Sequence, residues 1–193
     1  MNDLQNSSTS SLKAIHQALR WRLIGLLLER PRTGWLSEVE ALAAEINDES
    51  LREAAKSAAD ASEGTYLLMF GESGFVSPRE VTYRPMEDPG QILANLAEFY
   101  NSFAFKPKAE DPSDHIAVES GFIGYLWLKE ASAGNRELAE LACSARNRFI
   151  ENHLSVIARP LSERIMDTAL SYLTATAHAL LECVNDHLES KNE

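Results

Sequence analysis

From Leu12 onward the apolar residues of this chain recur three and four positions apart, and no alternating run longer than a few residues interrupts them. That spacing lays one apolar stripe along one side of a helix, so it favours a bundle of helices over a sheet-based core. Leu12, Ile15, Leu19, Leu23, Leu26 and Leu27 form the first stripe, on a core helix ending near Pro31. Ser37 with Glu40, and Ser50 with Glu53, have capping-box spacing and predict two further helices, the second Ala-rich as far as Ala61. Residues 66–70 are a short apolar run read as helix because its neighbours are helical.

Residues 71–89 carry glycines and prolines without helical period and predict one long loop. Asp88, Pro89 and Gln91 then supply an N-cap, a first-turn proline and a capping partner for a helix bearing Ile92, Leu96, Phe99, Tyr100 and Phe103. Asp111 with Pro112 is placed to start the next helix, which carries Ile116, Phe122, Ile123 and Leu126. Asn135 caps a helix running to about Ala158, which Pro160 is expected to break or kink. A last stripe runs from Ile165 to Leu188. The expectation is an all-α, single-domain helical bundle over residues 12–190, behind a disordered polar tail at 1–11.

With 193 residues and 45% hydrophobic composition, such a bundle has a core large enough to fold without a metal or disulfide staple. The 29 acidic against 18 basic residues give a net charge of -11, which repels nucleic acid and favours a cationic ligand such as a basic peptide. Cys143 and Cys183, 40 residues apart in helical sequence, read as small core residues. The opening stretch lacks an apolar segment behind a basic end, and the apolar run from Leu23 to Leu28 is far short of the roughly 18 residues of a membrane span. A cytoplasmic protein without an integral membrane segment is expected.

Glu110 to Leu126, EDPSDHIAVESGFIGYL, resembles the signature of the TorD/DmsD/NarJ-type, nitrate-reductase-delta-like assembly chaperones: a proline, then Asp-His, then a Glu four residues after the His opening an apolar helix. Ser77 to Tyr83 resembles the Pro-containing loop of that family, and Leu96 to Phe105 its aromatic helix end. The chain departs from the pattern after Glu119, where Ser120, Gly121, Phe122 and Ile123 stand in place of a large apolar residue, a second acid and often Met. The resemblance implies a TorD-like, non-enzymatic chaperone. Its partner would be the catalytic subunit of a molybdopterin oxidoreductase, bound through its basic twin-arginine leader or as apoprotein until cofactor insertion. Members of that family tend to dimerise, some by domain exchange, so a homodimer is one expected state.

A leader that pairs arginines with an apolar stretch needs acids beside an apolar groove. Asp114, His115, Glu119 and Asp111 cluster at a predicted helix start, Glu80 lies in the upstream loop, and Tyr100 is the aromatic with a polar tip. These six are the candidate client-binding residues. The same residues admit a structural reading, in which Asp114 and His115 tie down the preceding loop. His115 and Glu119 share a helix face, but His16, His153, His178 and His187 fall at no recognised ligand spacing with them, so no metal site or other cofactor is expected. Gly121 and Gly124 each weaken a helix by roughly 1 kcal/mol relative to Ala, which predicts close approach of a neighbouring helix or a bound peptide. A helical scaffold that binds a partner helix, unrelated to redox enzymes, is the alternative. Catalysis is not expected, since no Gly-rich phosphate loop or activated Ser or Cys arrangement is present.

Overall fold

The computed structural model describes residues 2–107 and 111–189. Glu110 of the signature lies outside them. The described residues form nine α-helices and no strand ladder: α1 (Asn2–Leu27), α2 (Trp35–Glu45), α3 (Glu49–Ser57), α4 (Glu63–Phe70), α5 (Pro89–Ser102), α6 (Ile116–Ala131), α7 (Arg136–Phe149), α8 (Ser155–Met166) and α9 (Ser171–Glu189). The all-α bundle with one long loop between α4 and α5 is thus the observed fold, and a short 3-10 turn, Glu80–Tyr83, sits inside that loop. No helix among the described residues is long and apolar enough to cross a membrane.

Caps made by a side chain two or three residues ahead behave as the sequence predicts: Asp88 accepts from Gly90 and Gln91, and Asn135 accepts from Leu138. Other starts differ. α1 extends back to Asn2, through the polar stretch read as a tail. α2 begins at Trp35 behind Gly34, whose φ of 80° turns the chain, because the Trp35 indole donates to the Leu26 carbonyl at 2.8 Å and anchors the helix before Ser37 is reached. α3 is capped by Asp48, not Ser50; Asp48 also takes a 2.8 Å bond from Arg20 of α1, a tertiary tie that a serine could not make. α6 begins at Ile116 with His115 as its cap, four residues past Asp111, so Asp114 lies outside its first turn and the helix dipole does not account for it. Pro160 lies within α8, and the regular ladder is interrupted instead at the π-helical turn Ile150–Leu154. Cys183 is buried and its thiol pushed up to about 12 by burial, as a core cysteine should be. Cys143 is only half-buried, with the Arg146 guanidinium 3.3 Å away.

α1 lies lengthwise on α6, the most extensive helix pairing in the molecule, while α9 packs on α3 and α8. Two glycines permit the first pairing. A Cβ on Gly25 would sit 2.9 Å from the Ala117 carbonyl, and one on Gly124 would sit 3.0 Å from the Ala18 carbonyl. The opposite side of α6 carries Phe122, fully buried, with ring centroids 4.8 Å from Phe149, 4.9 Å from Tyr100 and 5.1 Å from Phe105. The core therefore centres on α6, with α1 on one side and the aromatic ends of α5 and α7 on the other.

Candidate functional site

The loop between α4 and α5 is fastened to the segment ahead of α6 by backbone bonds. Glu80 donates to the Asp114 carbonyl and Ile116 to the Pro78 carbonyl, each at 2.9 Å, making an antiparallel bridge between Arg79 and His115. Side chains reinforce it. The Arg79 guanidinium grips Asp114, Nη2 to Oδ1 at 2.7 Å and Nε to Oδ1 at 2.9 Å, while the Val81 amide donates to Oδ2 at 3.4 Å. Asp114 is fully buried, whereas the Arg79 side chain is 40% exposed.

His115 caps α6 with its ring. Nδ1 accepts the Ala117 amide at 3.1 Å, so the ring proton sits on Nε2, which donates to the Tyr66 hydroxyl at 3.1 Å; Asp111 stands 4.0 Å from the same nitrogen. Burial pushes the His115 pKa down to about 4, against the upward pull of Asp114 and with a further lowering by Arg79. The folded protein thus binds fewer protons here than the unfolded chain between the ordinary histidine value of 6.5 and about 4. His115 stabilises fully above that window, and its contribution is lost as pH falls through it. At about 1.4 kcal/mol per pH unit the whole swing is about 3 kcal/mol. Asn caps helices well and does not titrate. Denaturation of the parent and His115→Asn across about pH 4 to 7 should therefore show the parent losing ground to the variant as pH falls, and parallel curves would remove His115 as the cause.

Glu80, fully buried, accepts from Arg84 Nε at 2.6 Å and faces His153 Nδ1 at 2.9 Å. His153 reaches Asn95 of α5 through its other nitrogen, and Arg84 also bonds the Asn152 carbonyl. Glu119 is fully buried among these groups, and no donor reaches either of its oxygens. Tyr100, 5% exposed, donates to the Ser113 carbonyl at 2.8 Å. The structure thus gathers Asp114, His115, Glu119, Tyr100 and Glu80 in one interior cluster, with Asp111 half-buried at its edge. Their polar tips do not line an open groove: the guanidinium that Asp114 holds is the chain's own. Arg79, Arg84, Tyr66 and His153 complete the cluster and were given no role by sequence. Among the described residues no group of acids, histidines and cysteines could hold a metal.

An open groove lies on the other side of α6. It measures about 600 Å³ and runs between α1 and α6 up to the segment after α5, lined by Ile15, Leu19, Phe105, Gly121, Tyr125 and Leu128. Ile15, 41% exposed, and Leu128, 51% exposed, belong to this lining, and Leu12, three residues ahead of Ile15, is 68% exposed, so the first stripe of α1 runs out of the core. Gly121 forms part of its lining, and a Cβ there would meet nothing within 4 Å. Close packing with α1 explains Gly124; it does not explain Gly121.

The sequence profile of the nitrate reductase delta subunit family matches residues 33–161. The chain belongs to that family. It is the NarJ/TorD-type chaperone family that residues 110–126 resemble. The matched span contains the whole Arg79–Asp114 and Glu80–His153 cluster and one wall of the groove, whereas α1, the other wall, precedes it. Among solved structures, the chain is similar to an Archaeoglobus fulgidus protein put forward as a redox enzyme maturation protein, with 21% identity and a TM-score of 0.49 over 69% of this chain and 93% of that one. No curated protein matches the sequence significantly.

Proposed function

We propose that this member of the nitrate reductase delta subunit family is a non-catalytic, cytoplasmic maturation chaperone. It holds the catalytic subunit of a molybdopterin oxidoreductase, through its basic N-terminal leader, until the cofactor is inserted. The observation that carries the reading is the apolar groove between α1 and α6, lined by the exposed Ile15 and Leu128, on a chain of this family. Burying such side chains is worth about 25 cal/mol per Å² of apolar area, and the net charge of -11 favours a basic guest. Asp114, His115, Glu119, Tyr100, Asp111 and Glu80 serve the client by positioning: they fix the start of α6, whose next residues, Ala117 and Val118, line the groove.

Affinity capture of the tagged protein from its own organism should bring down a molybdoenzyme catalytic subunit, whose leader peptide is then titrated. Gly121→Leu projects a side chain into the groove from a point where nothing stands in its way. The variant should fold with stability equal to the parent or up to about 1 kcal/mol greater, and bind the leader at least about tenfold more weakly. Unchanged affinity in a folded Gly121→Leu protein would move the client away from this groove.

A further inference from the structure

Glu119 is the fully buried carboxyl of the cluster with no ion-pair partner and no hydrogen-bond donor. From the 3-10 turn, Glu80 and Arg84 face it; from the segment ahead of α6, Asp114; from α5, Tyr100. His153 of the π-helical turn reaches the group through Glu80. Arg79 answers Asp114 and Arg84 answers Glu80. A charge on Glu119 would add an unpaired carboxylate beside two others, fully buried and with no donor to either oxygen. A neutral carboxylic acid resolves this, because it becomes a donor itself, and the acceptor within hydrogen-bonding reach is the carboxylate of Glu80.

We propose that Glu119 and Glu80 share one proton and so form a latch that fastens the 77–84 loop to α6, closed while the proton is held and loosened when it leaves. Glu80 carries the loop end of the latch through its own backbone bond to Asp114 and its side-chain bonds to Arg84 and His153. Glu119 carries the helix end, one turn into α6. Burial first, then the charges of Glu80 and Asp114, holds the Glu119 acid well above the usual carboxylate range.

The sign of the pH dependence follows. The folded protein keeps a proton that the unfolded chain has released, so this contribution is fully present below the ordinary carboxylate value of 4.5 and is lost as pH rises towards the folded one. Across that window the ratio of folded to unfolded protein falls about tenfold per pH unit. His115 acts in the opposite direction up to 6.5. The latch is therefore read between about pH 7 and 8, where ordinary histidines are mostly neutral and ordinary thiols mostly protonated.

Three measurements on the full chain test it. In protein labelled with carbon-13 at glutamate carboxyls, the resonance that disappears in Glu119→Gln should hold its protonated position at pH 7. Glutamine keeps a donor towards Glu80 but has no proton to lose, so the tenfold-per-unit decline should be present in the parent and absent in Glu119→Gln. Amide exchange at Glu80 and Ile116, whose bonds fasten the loop, should accelerate with pH beyond the intrinsic rise in the parent alone. An ionised Glu119 at pH 7, with the proton on His153 instead, overturns the proposal. So does a pH dependence that is the same in parent and variant. If Glu119→Gln fails to fold, assignment through Glu119→Asp, or by through-bond connectivity in the parent, still reads the carboxyl directly.

Discussion

Replacing Arg79 with Ala should lower the free energy of unfolding by about 3–5 kcal/mol, and replacing Asp114 with Ala by only about 1.5–3 kcal/mol. The two partners make the same bidentate contact, so a count of lost bonds predicts equal losses. Their exposures do not match: Asp114 is fully buried, whereas the Arg79 side chain is 40% exposed. Without Arg79, a carboxylate remains in the interior with the Val81 amide as its remaining side-chain partner. Without Asp114, the guanidinium can turn to water. Arg79→Lys should fall between, since an ammonium keeps the charge but cannot make the fork-shaped contact. Denaturant titration at pH 7 separates the cases, and a larger loss for Asp114→Ala than for Arg79→Ala would refute the argument. A client-contact role for Asp114 makes a different forecast, in which a stable Asp114→Ala protein fails to bind.

Phe122→Ala should destabilise the protein by about 3–5 kcal/mol. Phe122 is fully buried and stands among Tyr100 and Phe105, from the end of α5 and the segment just after it, and Phe149 from the end of α7. Truncation removes the ring at the centre and leaves a cavity that three anchored neighbours cannot close, Tyr100 being held by its bond to the Ser113 carbonyl. Phe122→Leu should recover part of the loss by refilling the space without the edge-on ring contacts. Equilibrium unfolding monitored by helical circular dichroism measures both variants. A loss below about 1.5 kcal/mol for Phe122→Ala would mean that the aromatic layer collapses into the space, against the rigidity described here.

What could be read from sequence was what is decided within one helical turn. Asp88 and Asn135 cap because their oxygens reach amides two or three residues on, whatever the rest of the fold does. Ser37 and Ser50 had the same local pattern and lost to tertiary ties, the Trp35 indole on Leu26 and the Asp48 carboxylate on Arg20. The signature located Asp114, His115 and Glu119, but their partners are distant in the chain: Arg79 is 35 residues from Asp114, Tyr66 is 49 from His115, and His153 is 73 from Glu80. No local rule reaches that far, so the sequence leaves open whether these acids await a ligand or tie down the loop, and the partners that the chain itself supplies lie beyond its view. The groove was hidden for a different reason. A stripe at helical spacing marks the apolar side of a helix without saying whether anything covers it, and Leu12 and Ile15 read the same as Leu23 and Leu26.

At Gly25 and again at Gly124, α1 and α6 touch backbone to backbone. Two such close approaches along one pair of helices oppose sliding and rolling, so the groove between them is closer to a mould than to a jaw. Whatever enters must therefore do the conforming. A leader that is unstructured in water would take its shape from the cast, and the thermodynamic signature of its capture, a large negative heat-capacity change with an opposing entropy, would belong almost wholly to the guest.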